Sequence, residues 1–348
     1  MNHVNRALII LASYDFESLQ LTLKSLPHTV AEHERIVVIL NGINTLASAI
    51  VERVARAWAA ESPGNRFVVR PICSGAKAFF AIKEVLADYA PLQEVEWICK
   101  IDDDVIPLKK NWLDGLHNAY VEHSAHSKVA FTTGLINNNC WGFNELLDIF
   151  DKRKDFTAMF NYRLRGGAVN DFMPGEVNNG SFGTIWHEPY IAWWVHQWTT
   201  LNIGDFIART SGLAPRQIAR NTGYSIGCIF FERKFWLGLN HEQFNSILDE
   251  EIIHQTCQAE GRARWAVMDQ PMLHLFYFNQ RLANRDIIDP VAASLSGYFN
   301  DESFKAISRI TMEELTINLK EEFKTLHDDL WAFLRSLVAD TESSAVTQ

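Results

Sequence analysis

The first 136 residues alternate short β-rich runs with amphipathic helical patterns, and nothing else in the 348-residue chain constrains its fold as tightly. Ala7 to Ala12, Arg35 to Leu40, Phe67 to Ile72 and Val95 to Ile101 are apolar runs of strand length. Between them Leu19, Thr22, Leu23 and Leu26 share one helical face. So do Leu46, Ala49, Ile50, Val54 and Trp58, and then Phe79, Ile82, Leu86 and Tyr89. Strands that alternate with helices in this way build a mainly parallel sheet covered by helices, the α/β class. Asp15 is placed to cap the first helix, and Pro27 is expected to limit it.

In such sheets the polar residues just past the carboxyl ends of the strands converge on one crevice. Here those residues are Ser13-Tyr14-Asp15, Asn41-Gly42, Ser74-Gly75 and, after Trp97 to Ile101, the run Asp102-Asp103-Asp104. Three consecutive acids at the end of an apolar strand repel one another unless something positive holds them. Carboxylate oxygens are hard ligands suited to Mg²⁺ or Mn²⁺, and such sites leave positions open for water and substrate phosphates.

The formal net charge of −10 gives no general attraction for a phosphate polymer, so no nucleic-acid partner is expected. A nucleotide held through a metal needs no basic surface. The five cysteines are scattered and contain no CxxC pair, which suggests a reducing compartment and neither a zinc site nor a disulfide framework. Ala7 to Ala12 is too brief for a signal segment, and no stretch reaches membrane-spanning length. The expectation is a cytoplasmic protein, with peripheral contact at the inner face of a membrane as an option.

From about residue 137 to 222 the pattern loosens into Asn, Gly and aromatic residues, including Asn178-Asn179-Gly180 and the run Trp186 to Trp194. An insertion with its own small core is the simpler reading; stacking of some aromatics on an acceptor sugar is the sharper one. His187-Glu188 lacks the second His of HExxH, which removes a zinc protease. Residues 249–260 read as a helix ended by Gly261, with Asp249 as its N-cap and Glu250 in its first turn. Ala263 to Met268 then reads as a strand leading to His274. Thr311-x-x-Glu314 and the stripe from Leu315 to Leu337 mark a C-terminal helix. Packing on its own domain is the default for that helix, with a homo-oligomer seam or a membrane contact as second readings. The division expected is 1–136 for nucleotide binding, 137–222 as an insertion on the acceptor side, 223–290 as the acceptor and catalytic half, and 291–348 as a helical tail.

Taken in order, these segments resemble a family-2-type glycosyltransferase with the GT-A fold. Ala7 to Asp15 resembles the opening strand and its nucleotide-contacting turn, and Ile36 to Asn41 the second strand. Ile101-Asp102-Asp103-Asp104 resembles the DxD motif, and Ile226 to Arg233 the segment before the acceptor-side helix. Leu248-Asp249-Glu250-Glu251 resembles the Glu-Asp start of that helix. The resemblance covers roughly residues 5–136 and 223–280.

It implies a mixed, mostly parallel sheet flanked by helices, with a nucleotide-sugar donor and a glycan or lipid-linked acceptor, in surface glycan synthesis. Mn²⁺ or Mg²⁺ would be held by Asp102, Asp104 and His274. Ser13, Tyr14, Asp15, Asn41, Gly75, Lys77, Asp102 and Asp103 would contact the donor. Glu250, or Asp249 one residue before it, would take the acceptor proton, giving inversion at the anomeric carbon. Lys100 and Arg233 are secondary phosphate candidates beside Lys77. Two departures stand out: Asn41 replaces an Asp, and Asp249-Glu250 reverses the usual acidic order. A sugar nucleotidyltransferase would call for a Gly-rich loop where Ser13 to Glu17 stands. A non-catalytic carbohydrate- or nucleotide-sugar-binding protein on the same fold is the other alternative.

Overall fold

The computed structural model describes residues 5–42, 45–75, 77–139, 141–160, 189–220, 224–276 and 278–309. Residues 1–43 and 47–307 make one compact unit; the other, 44–46 and 308–348, contributes only Thr45, Leu46, Ser308 and Arg309 to the described set. The C-terminal helix and the Trp186 to Glu188 motif read from the sequence lie outside the described residues.

Among the described residues, nine strands form one mixed sheet: β1 (Arg6–Ala12), β2 (Arg35–Leu40), β3 (Arg66–Val69), β4 (Trp97–Asp102), β5 (Val105–Pro107), β6 (Val129–Ile136), β7 (Arg216–Ile218), β8 (Cys228–Glu232) and β9 (Ala263–His274). Their spatial order is β3-β2-β1-β4-β8-β6-β9-β5, with β7 also on β9. The first four strands run parallel, as the alternating pattern requires. β8 lies antiparallel between β4 and β6, β6 and β9 are parallel, and β5 and β7 pair antiparallel with β9.

Ile9, Val37, Ile39 and Ile98 are fully buried, and helices 16–29 and 78–88 add Leu21, Phe79, Ile82 and Leu86 to the same core. Each such side chain contributes about 1.5–3 kcal/mol on burial. Asp15 caps the first helix by accepting from Ser18 N at 3.0 Å. Pro27 does not stop this helix, which runs to Thr29. The ring removes one donor within the last turn, where the loss of a single ladder bond is tolerated.

The described part of residues 137–222 has no separate core. Phe143, Phe150, Phe156, Val195, Trp198 and Phe206 belong to one apolar cluster continuous with the sheet. Within it Phe150 and Trp198 lie 4.6 Å apart by ring centroids, and Phe143 meets Phe156 edge-on at 5.1 Å.

β9 slips against β6 between Gly134 and Leu135, so that Val267 faces Gly134 but Pro271 faces Leu135. A Cβ on Gly134 would stand 2.5 Å from the Gln270 carbonyl oxygen and under 3 Å from Met272. Only glycine lets the two backbones approach this closely. The slip carries β9 onward until His274 lies opposite Val105, the first residue after the acidic run.

Candidate active site

Because β1, β2 and β4 are parallel, Ala12, Leu40 and Asp102 end at the same edge of the sheet. The loops that follow are tied together there. Asn41 N donates to Ala12 O at 2.7 Å, and Gly75 N reaches Asn41 O at 3.1 Å and Oδ1 at 3.3 Å. Gly42 is where they pack most closely, since a Cβ there would stand 2.5 Å from Ser13 O. Gly75 has φ +86°, which favours glycine. Ser13 N donates to Asp103 Oδ2 at 3.2 Å, joining the first loop to the acidic run. Tyr14 is exposed beside it, and Lys77 is an exposed residue at the start of helix 78–88.

Asp103 and Asp104 form the two-residue turn between β4 and β5. Asp104 is buried and receives Phe276 N at 3.3 Å on Oδ2. His274 Nε2 stands 3.4 Å from Asp104 Oδ1, and Arg281 Nη2 stands 3.4 Å from Oδ2. Burial opposes ionisation of Asp104, but His274 and Arg281 outweigh it and hold the carboxyl below its usual range. The reverse holds for Asp103, which burial and the adjacent Asp104 push well above that range. Burial works against charge on His274 as well, yet Asp104 raises its basicity.

Asp102 is held differently. Its Oδ1 lies 2.6 Å from Lys100 Nζ, whose other partner is the Ile226 carbonyl at 2.8 Å. Burial raises the Asp102 carboxyl and Lys100 partly offsets it. Lys100 is itself buried within the sheet, which disfavours its charge, but Asp102, Asp249 and Glu250 more than compensate. The sequence offered Lys100 as a secondary phosphate candidate; the structure places its ammonium on Asp102 and on the Ile226 carbonyl. Arg233 also lies elsewhere, with its guanidinium on the Leu86 carbonyl.

The segment 225–227 completes that link. Asp102 N donates to Gly227 O at 2.9 Å, and Ile226 N donates to Glu250 Oε1 at 3.3 Å. The helix Asp249–Glu260 has the expected bounds but a different cap: Leu248, not Asp249, is the N-cap, and Asp249 is already helical, with Oδ1 accepting from Glu250 N at 3.1 Å. Asp249 therefore turns its carboxylate toward Glu250 rather than capping the helix from outside. Burial first, and Asp249 second, raise the Glu250 carboxyl to about 7, against which Ser225 and Lys100 pull down.

Sequence reasoning missed two groups. Arg281, on the helix Phe278–Ala283, pairs with Asp15 Oδ2 at 2.8 Å as well as with Asp104. The buried run Asn137-Asn138-Asn139 after β6 holds several loops at once. Asn137 Oδ1 accepts from His274 N at 2.8 Å, while its Nδ2 reaches the hydroxyls of Thr199 and Thr200, both at 2.9 Å. Asn138 O faces His274 Nδ1 at 2.8 Å, Asn138 Nδ2 reaches Gln280 at 2.8 Å, and Asn139 Nδ2 reaches Ser225 O at 3.0 Å. Three consecutive buried amides in an apolar context were the signal, although their partners lie far away in sequence.

Among the described residues, no group of three or more His, Cys, Asp or Glu side chains is gathered to hold a metal ion. Asp104 and His274 come together, whereas Asp102 is engaged with Lys100. The donor chemistry of the Asp104–His274 pair does fit a divalent cation. With Nδ1–H donating to Asn138 O, the lone pair of a neutral imidazole sits on Nε2, beside a carboxylate oxygen. Few protein ligands, completed by water and phosphate, suit Mg²⁺ or Mn²⁺.

No protein-family model matches the chain, and no curated protein matches it. Among solved structures it is similar to residues 1–349 of TarS from S. aureus, at TM-score 0.36 and 13% identity, covering 87% of this chain and 68% of that one. A mannosyltransferase from Pyrobaculum calidifontis, in complex with GDP-Man and Mn²⁺, gives TM-score 0.30 and 16% identity over 38% of this chain and 36% of that one. A cytidylyltransferase from Leptospira borgpetersenii gives TM-score 0.28 and 13% identity over 38% and 54%. The chain thus spans little more than a third of the mannosyltransferase's length.

Proposed function

We propose that this chain is a metal-assisted glycosyltransferase that moves a sugar from a nucleotide-diphosphate donor to a hydroxyl acceptor with inversion. The observation that carries this reading is the contact chain from Asp102 through Lys100 and Ile226 to Glu250, which joins the acidic turn to a carboxylate of perturbed basicity. The loops of Ser13 to Asp15, Asn41 and Gly75 supply the donor side, where Ser13 and Asn41 hydrogen-bond base and ribose. Lys77 and Asp103 lie on the same side. Asp104 and His274 would hold Mn²⁺ or Mg²⁺, with Asp102 aligned toward it through water or the donor ribose. When bound, the cation stabilises negative charge on the leaving diphosphate.

Glu250 accepts the proton of the acceptor hydroxyl as that oxygen attacks the anomeric carbon from the face opposite the leaving group. Its elevated basicity matches proton transfer near neutral pH. Asp249 keeps it basic, and Lys100 keeps enough of it ionised. Surface glycans, free or lipid-linked, are the acceptor class in this reading. The test is a thermal-shift screen of UDP, GDP, dTDP and CMP sugars with and without Mn²⁺, followed by turnover of the stabilising donor. Stabilisation that needs Mn²⁺, with turnover abolished but binding retained in Glu250→Gln, supports the transferase. Donor binding with no turnover in any acceptor mixture points to a binding protein instead.

A further inference from the structure

We propose that Arg281 is a built-in counter-ion of the acidic pocket, and that a divalent cation displaces its guanidinium from Asp104, so that cation binding and release of Arg281 are one event. The inference rests on the cation reading above and adds a competitor that is part of the chain.

The geometry is that of a displaceable partner. The Arg281 side chain is 35% exposed, whereas those of Asp15 and Asp104 are 7% and 3% exposed. Part of the Arg281 side chain therefore reaches solvent, while its Nε and both carboxylates are buried. Its ion pair with Asp15 is the closer and stronger, 2.8 Å from Nε to Oδ2, although Nε is not aligned for a hydrogen bond there; its contact with Asp104 is a long hydrogen bond, 3.4 Å from Nη2 to Oδ2. The Asp104 contact is the one to give way first.

Neither carboxylate is stranded when it does. Asp15 keeps Ser18 N at 3.0 Å and Ser18 Oγ at 2.7 Å, and Asp104 keeps Phe276 N and His274. The pocket also needs a positive charge at all times, because Asp15, Asp103 and Asp104 are buried close together and all three act on Arg281. A single guanidinium is the weaker occupant, and a doubly charged ion at Asp104 Oδ1 and His274 Nε2 competes with it directly. By linkage, whatever removes the guanidinium must tighten the cation by the same factor.

The test is Mn²⁺ binding to the full chain, followed by the electron-spin-resonance signal of free Mn²⁺, in the wild type, Arg281→Gln, Arg281→Lys and Asp104→Asn. Arg281→Gln is expected to bind Mn²⁺ about fivefold or more tighter, the lower end of typical coupling. Arg281→Lys, which keeps the charge, stays near the wild type, and Asp104→Asn loses the site. Equal or weaker binding by Arg281→Gln overturns the proposal, as does tightening by Arg281→Lys to the same extent. If Arg281→Gln does not fold, labelling of wild-type Arg281 by phenylglyoxal decides: Mn²⁺ should increase it, and unchanged or reduced labelling overturns the proposal. Mn²⁺ binding by the wild type that Arg281→Gln leaves unchanged refutes only the counter-ion. Absence of Mn²⁺ binding from both refutes the cation reading as well.

Discussion

Glu250→Gln removes a proton acceptor while keeping the size of the side chain and one oxygen for Ile226 N. A positioned general base contributes about 10²–10⁴-fold, so kcat should fall by that factor, about 3–5.5 kcal/mol in barrier. The wild type supplies a sharper test. With the Glu250 carboxyl raised to about 7 by burial and Asp249, about a tenth of the protein carries Glu250 ionised at pH 6 and about nine tenths at pH 8, which under the proposed function is the fraction able to act as base. Nucleotide release under kcat/KM conditions should therefore rise about tenfold across that interval and then level off. An unperturbed glutamate would give a flat profile there. Asp249→Asn should move the rising limb to lower pH, because it removes a negative neighbour. The same shift has a sign for stability. Folding favours the protonated carboxyl, so this contribution is full below about pH 4.5 and is lost as the pH rises through about 7. A flat wild-type profile between pH 6 and 8, or wild-type turnover by Glu250→Gln, would refute the reasoning.

Three further outcomes concern stability and are read by chemical denaturation. Arg285→Met leaves the buried Glu17 carboxylate without the guanidinium that grips it at 2.7 and 3.0 Å, which should cost about 3–5 kcal/mol. Gly134→Ala places a Cβ against the Gln270 carbonyl and should cost about 1–3 kcal/mol; a neutral result would mean that β9 can shift freely at its slip. Asn137→Ala takes the acceptor from His274 N and should cost about 1–3 kcal/mol, with weaker Mn²⁺ binding in the same protein. Unchanged Mn²⁺ binding would detach the asparagine run from the site.

Legibility in the sequence followed the range of the interactions. β2 and the helix Asp249–Glu260 match their expected bounds, because an apolar run in one case and a terminal glycine in the other are local signals. β3 is shorter than expected and ends at Val69, with Arg70 turning away to bond Gly42 O and Glu52. β9 is longer than expected, since Pro271 sits at the slip, where no ladder donor is needed. β6 was not read as a strand, its Thr132-Thr133-Gly134 centre diluting the apolar pattern. The meeting of the loops at one sheet edge was legible, because parallel strands bring their carboxyl ends together whatever lies between them. Arg281 and the partners of Lys100 were not, since an ion pair between residues 177 positions apart leaves no mark on local periodicity.

The amide run that follows β6 has a consequence for anyone who would re-engineer this protein. The Asn137 side chain clasps Thr199 and Thr200 on one flank, while the Asn138 backbone carbonyl holds the imidazole ring on the other. A graft that exchanged the helices around residues 189–210 for a new surface would thus reach His274 through two hydroxyl groups. The setting of His274 would change with the new surface unless both threonines were kept.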